Sequence, residues 1–218
     1  MPADAAIKTI EAHRFRVGRI LELNDPFEYS FGFERFPPAE IKNALVEREE
    51  LRRHLNELYG VVCFSKEHRD SVIWSHYADC HRGVALEVGC TLEDFEKELI
   101  GIVYSKKRIC VPLDCYKFRE QNESGLRRIF KKMIRRKAWN WRYEHEYRGV
   151  VALRECDTKS GMYLWKIPEN FIKRVIIGIR SPFSIAYFRR ALDLSGFKSV
   201  AVVKAQESLN SYAVEFQL

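Results

Sequence analysis

The chain has 218 residues, 46% of them hydrophobic, which is enough for a packed core and excludes a disordered chain. No apolar run reaches the length of a membrane span, and MPADAAIKTIEAHRF lacks the apolar stretch of a secretory leader. A cytoplasmic protein of one domain, residues 1–218, without a membrane partner is expected. Lys and Arg outnumber Asp and Glu by 37 to 30, a net charge of +7.

Asp4 to Phe15 reads as a short helix with Ile7, Ile10 and Phe15 inward, and Arg16 to Leu21 as a strand. Asn24-Asp25-Pro26 is a turn signal. A charged helix follows from Ala39 to Tyr59, with Ile41, Leu45, Leu51, Leu55 and Leu58 as its buried stripe. GVVCFS reads as a buried strand. Asp70 or Ser71 then caps a helix that Gly83 ends. VALEV is a strand, Thr91 or Asp94 opens a short helix to Leu99, and IGIVYS is a strand. Ser124 to Trp139 reads as a helix with Leu126, Ile129, Phe130, Met133 and Ile134 on its apolar side. RYEHEYRGVVAL is a long strand and RVIIGI a buried one. Pro182 opens a helix that Gly196 ends, and SVAVVKA and SYAVEF are final strands that could pair. Strands and helices alternate without regular βαβ spacing, which predicts an α+β fold with a twisted, mixed, largely antiparallel sheet.

Four stretches carry chemistry. In WSHYADCHRG, helical spacing puts Trp74, Tyr77, Ala78 and His81 on one face, with His76 and Asp79 elsewhere. Trp74 and Ala78 suit core anchors. His76, Tyr77 and His81 suit a pocket wall, because a ring beside an imidazole offers a flat face and a polar handle. In RYEHEYR, strand alternation puts Glu144, Glu146 and Arg148 on one face, roughly 6.5–7 Å apart. Paired carboxylates can orient a hydroxyl, steady a developing cation or accept a proton. In NDPFE, Asn24, Asp25 and Glu28 surround a rigid turn suited to a pocket rim.

The fourth stretch, Arg127 to Lys137, holds seven basic residues and no acid. Arg128, Lys131, Lys132, Arg135 and Arg136 are candidate contacts to nucleic acid or another polyanion, although few aromatics interleave them. None of the six cysteines forms a C-x-x-C pair, and reduced thiols are expected. His76 and His81 are five apart and splay on a helix, so no metal site is assigned. Phosphate-loop, dinucleotide-fold, zinc-protease and nucleophile-elbow motifs are absent.

Together the blocks NDPFE, Cys63-Phe64-Ser65, WSHYADCHRG, Lys137 and WRYEHEYR resemble the bacterial domain of unknown function 2971 along nearly the whole chain. That family carries no settled activity. The order of parts is also similar to the ADP-ribosyltransferase fold, where a strand ending in Ser precedes a helix with an aromatic, and a late strand carries Glu-x-Glu. The resemblance implies NAD as substrate. Glu146 would hold the nicotinamide ribose, Glu144 would activate a nucleic-acid or protein acceptor, and Trp74 or Tyr77 would stack on nicotinamide. Ser65, His81, Asn24, Asp25 and Arg148 would complete cofactor binding, with His76 among the catalytic groups. In such transferases an N-terminal strand carries a His or Arg that grips NAD; this chain departs from that pattern, and either the strand is absent or His13 or Arg14 does its work from another place. The implied activity is ADP-ribosyl transfer or NAD cleavage, as in a toxin or antiphage effector. The alternative is a basic nucleic-acid-binding module or a nuclease without NAD chemistry.

Overall fold

The computed structural model describes residues 1–33, 37–89, 99–111, 123–168 and 170–216. The helix expected from Thr91 or Asp94 and the side chain of Leu126 lie outside them. In chain order the elements begin α1 (Ala3–Ala12), β1 (Arg14–Arg19), β2 (Gly32–Phe33), α2 (Pro38–Leu58), β3 (Tyr59–Ser65), α3 (Ser71–Tyr77), β4 (Val84–Val88), β5 (Leu99–Gly101) and β6 (Val103–Ser105). There follow β7 (Cys110–Val111), α4 (Glu123–Ile134), β8 (Arg136–Ala138), β9 (Glu146–Ala152), β10 (Asp157–Lys159), β11 (Met162–Lys166) and β12 (Ile172–Ile177). The chain closes with α5 (Ile185–Leu194), β13 (Ala201–Lys204), β14 (Gln206–Glu207) and β15 (Val214–Glu215). This is an α+β fold with mostly antiparallel strand pairs. No helix among the described residues is long and apolar enough to cross a membrane.

The chain divides into two compact units, one of Met1–Arg16, Ser65–Lys97 and Asp157–Leu218, the other of Val17–Phe64 and Glu98–Cys156. In the first, β12 pairs antiparallel with β4 and parallel with β13. The expected pair of final strands is therefore not formed: β13 lies on β12, and β15 pairs with β14. Trp74, Ala78, Ile176, Ala205 and Val214 form a core. Helix α1 stops at Ala12, short of Phe15, because His13 is left-handed and caps it. Phe15 is buried from β1 instead, near Trp165 and Phe171.

Helix α3 is also shorter than expected. Asp70 caps it, its Oδ1 accepting from the N–H groups of Val72 (2.7 Å) and Ile73 (3.2 Å). It ends at Tyr77, and Asp79, Cys80 and His81 follow with φ of 47, 51 and 69°. Gly83 does not supply the left-handed cap. Its role is close approach, since a Cβ there would stand 2.2 Å from the Met1 carbonyl oxygen.

In the second unit the strand order is β1–β3–β9–β5. Register is set by Gly18 opposite Val61 and by Ile100 opposite Arg148. Ile20, Tyr29, Phe31, Leu55, Met133 and Ile134 belong to its core. On α2 the buried line is Ala44, Leu51 and Leu55, while Ile41, Leu45 and Leu58 are exposed. The inward face runs 44, 48, 51, 55, and Arg48 takes its place in it by donating to the Phe31 carbonyl (3.3 Å).

Helix α4 ends at Ile134, not at Trp139. Arg136–Ala138 pairs in parallel with β6, and Trp139–Glu144 forms a 3-10 segment. Strand β9 starts at Glu146, so Arg142 to His145 is not strand.

Candidate active site

The second unit buries five charged side chains in one network: Glu28, Lys137, Glu144, Glu146 and Arg148. Each reaches it by a local rule. Asp25 folds NDPFE into a turn, its Oδ1 accepting from the Phe27 N–H at 2.9 Å, and this delivers Glu28 inward. Strand β8 alternates, so Lys137 points in between Arg136 and Ala138. Glu146 and Arg148 share the inner face of β9, as alternation predicts. Glu144 arrives differently. His145 is left-handed, with φ of 45°, and the chain turns there.

The turn brings both glutamates to one cation. Lys137 Nζ donates to Glu144 Oε2 at 2.5 Å and to Glu146 Oε2 at 2.8 Å. It lies 3.3 Å from Glu28 Oε1 and 5.1 Å from the centre of the Trp141 ring. Arg148, 0% exposed, donates through Nε to Glu146 Oε1 at 2.6 Å and through Nη2 to Glu146 Oε2 at 3.0 Å. Its Nη2 also donates to Glu28, and its Nη1 to the Ile134 carbonyl at 3.3 Å. The guanidinium sits 5.5 Å from the Tyr29 ring centre. The Glu146 N–H donates to Tyr104 Oη at 2.7 Å.

Three carboxylates thus share two cations, leaving one negative charge in excess. The carboxylates respond unequally. Burial pulls the Glu146 pKa up, but the Arg148 and Lys137 hydrogen bonds and charges outweigh it and hold it down at about 2. For Glu28 burial wins over Arg148 and Lys137, and its pKa is raised. Lys137 and Arg148 both stay cationic well above their ordinary ranges, because the carboxylates overcome burial. Burial and the two cations thus push Glu28 and Glu146 in opposite directions.

Cys63 lies beside the network. Its side chain is exposed, yet surrounding protein pushes its thiol pKa up, and the nearby Glu146 carboxylate adds to the effect. Tyr29 beside it is fully buried.

The remaining candidates are distributed as follows. Asn24 is exposed, and Asp25 is buried with Oδ2 unpartnered. In the first unit, Trp74 is a core residue, 2% exposed, with its indole N–H donating to the His68 carbonyl at 2.7 Å. It is not available for stacking on a ligand. His81 is not on the helix; its ring stacks on Trp74, centroids 6.3 Å apart, and Ser75 Oγ lies 3.2 Å from its Nε2. Ser75 donates its own proton to the Ser71 carbonyl (2.9 Å), and among the described residues His81 Nδ1 is buried without a partner. Which of His81 Nε2 and Ser75 Oγ donates to the other follows the imidazole tautomer. His76 is exposed, and Tyr77 is half-buried edge-on to it at 6.2 Å. Ser65 Oγ accepts from the Glu67 N–H at 2.9 Å in a tight turn. His13 stacks on Phe197 at 4.5 Å, and Arg14 pairs with Asp157 at 2.7 Å.

Sequence reasoning missed Lys137 as a site group, because it reads as the last residue of a solvated basic run on a helix. Glu28 was visible only as part of a turn. Among the described residues no group of three or more His, Cys, Asp or Glu side chains is placed to hold a metal ion. Comparison with family models, curated proteins and solved structures finds no match.

Proposed function

We propose that the second unit carries the active site of an NAD-cleaving enzyme, an ADP-ribosyltransferase or NAD glycohydrolase. The observation that supports this most is Glu146: a carboxylate kept ionised in the protein interior by Arg148 and Lys137. As the bond from the ribose anomeric carbon to nicotinamide breaks, its electron pair leaves with nicotinamide and positive charge grows on the sugar. A preorganised anion stabilises that charge. Water or an acceptor hydroxyl then attacks the anomeric carbon, and Glu144 takes its proton. The likeness of Glu144-His145-Glu146 to the Glu-x-Glu of ADP-ribosyltransferases supports the same assignment.

The test is nicotinamide release from NAD by purified protein, with and without cell extract as acceptor. Wild type is run beside Glu144→Gln and Glu146→Gln, and circular dichroism verifies each fold. If Glu146→Gln does not fold, Glu146→Asp, which keeps the charge and withdraws it by one methylene, replaces it. Release that is lost in the folded variants is the expected result. No release from folded wild-type protein at millimolar NAD sinks the proposal.

A further inference from the structure

The basic run divides in two in the structure. Lys137 turns inward, while Arg128, Lys131, Lys132 and Arg135 are exposed along the end of α4. Among the described residues, none of those four lies within ion-pair distance of a carboxylate. Past β8 the chain presents Trp139, 42% exposed, with the Arg142 guanidinium 4.9 Å from its ring centre. The parallel register sets Ser105 opposite Ala138. Exposed Lys106 and Lys107 therefore leave β6 at the same end where Trp139 leaves β8.

Neither half of this surface serves the buried network. A row of cations with no carboxylate beside it among the described residues raises the energy of the isolated protein through mutual repulsion, and an indole left in water forgoes burial. Both are relieved by one kind of partner, a polyanion that also carries flat apolar faces. We infer that this strip binds single-stranded nucleic acid, with phosphates along the α4 cations and an unstacked base on Trp139 and Arg142. A duplex satisfies only the first half, because its bases are stacked on each other and offer no free face.

The experiment is fluorescence anisotropy of the full chain with labelled oligo-dT of about 15 nucleotides, the corresponding duplex, and anionic phospholipid vesicles as competitor, across a salt series. The single strand is expected to bind more tightly than the duplex. Changing Lys131, Lys132 and Arg135 together to Ala should flatten the log–log salt slope by about 2. Trp139→Ala should weaken binding about five- to a hundred-fold at unchanged slope, and Trp139→Phe should restore most of it. Equal or tighter duplex binding overturns the inference. So does wild-type affinity in folded Trp139→Ala, complete displacement by the vesicles, or no binding at about 50 mM salt. None of these readouts depends on NAD, so this inference and the proposed activity fail separately.

Discussion

The ammonium of Lys137 and the carboxylate of Glu144 lie 2.5 Å apart in the protein interior, seven positions apart in the chain. Between them runs a 3-10 segment that a helix-to-strand reading of the sequence omits. Because Lys137 also holds Glu146, one cation fixes both ends of the Glu-His-Glu turn.

Removing either cation is expected to destabilise the protein strongly. Lys137→Met or Arg148→Met leaves buried carboxylates uncompensated, a defect that costs about 3–5 kcal/mol. Arg148→Lys should recover little, since the Nε and Nη2 bonds to Glu146 need the guanidinium fork. Urea denaturation measures all three. A loss below about 1 kcal/mol for Arg148→Met would show that the network contributes little.

The carboxylates should not be equivalent. Glu28 is the one whose ionisation burial opposes, so Glu28→Gln leaves two anions with two cations. Its cost at neutral pH is expected to stay within about 1 kcal/mol, whereas Glu146→Gln should cost about 3 kcal/mol or more. The reverse order in chemical denaturation refutes the assignment of the surplus charge.

The pH dependence follows with opposite signs. Glu146 is held at about 2 against an ordinary 4.5, so between these values the unfolded chain takes up a proton that the folded one refuses. Its stabilisation is present above about 4.5 and is lost as pH falls through 2. Glu28 is raised, so its contribution is present below its ordinary value of 4.5 and is lost as pH rises through its folded pKa. The stability of wild type over Glu146→Gln should therefore grow from pH 2 to 4.5. Its stability relative to Glu28→Gln should decline above 4.5. A difference from Glu28→Gln that is flat from acid to neutral pH rules out a raised Glu28.

His145 is expected to tolerate glycine and reject branched residues. At φ of 45°, a β-branched side chain adds about 1–2 kcal/mol of strain, while Gly relieves up to about 1 kcal/mol. If His145→Val is as stable as wild type in thermal melts, the turn is not held as described.

The sequence showed the parts of this site more clearly than their assembly. NDPFE announced its turn, and alternation placed Glu146 and Arg148 on one face of β9 correctly. The end of α4 was hidden, because RRKAWNWRYE contains no Gly or Pro and its helical propensity runs on past Ile134. Parallel pairing with β6 overrides that propensity, and no local signal encodes a partner some thirty residues away. Lys137 changed from surface to interior for the same reason. The left-handed run at Asp79–His81 was equally illegible, since none of the three is glycine and Gly83 offered a more ordinary stop. Charge counting could find the basic run but not that Trp139 and Arg142 extend it.

The alternation of chain segments between the two units has a consequence for synthesis. Every residue of the charged network precedes Cys156, whereas the first unit draws its β12 and α5 from the stretch that begins at Asp157. At about 5–20 residues per second, a ribosome exposes every residue of the charged network several seconds before the first unit can close. Met1–Arg16 and Ser65–Lys97 wait through that interval without their partner strands.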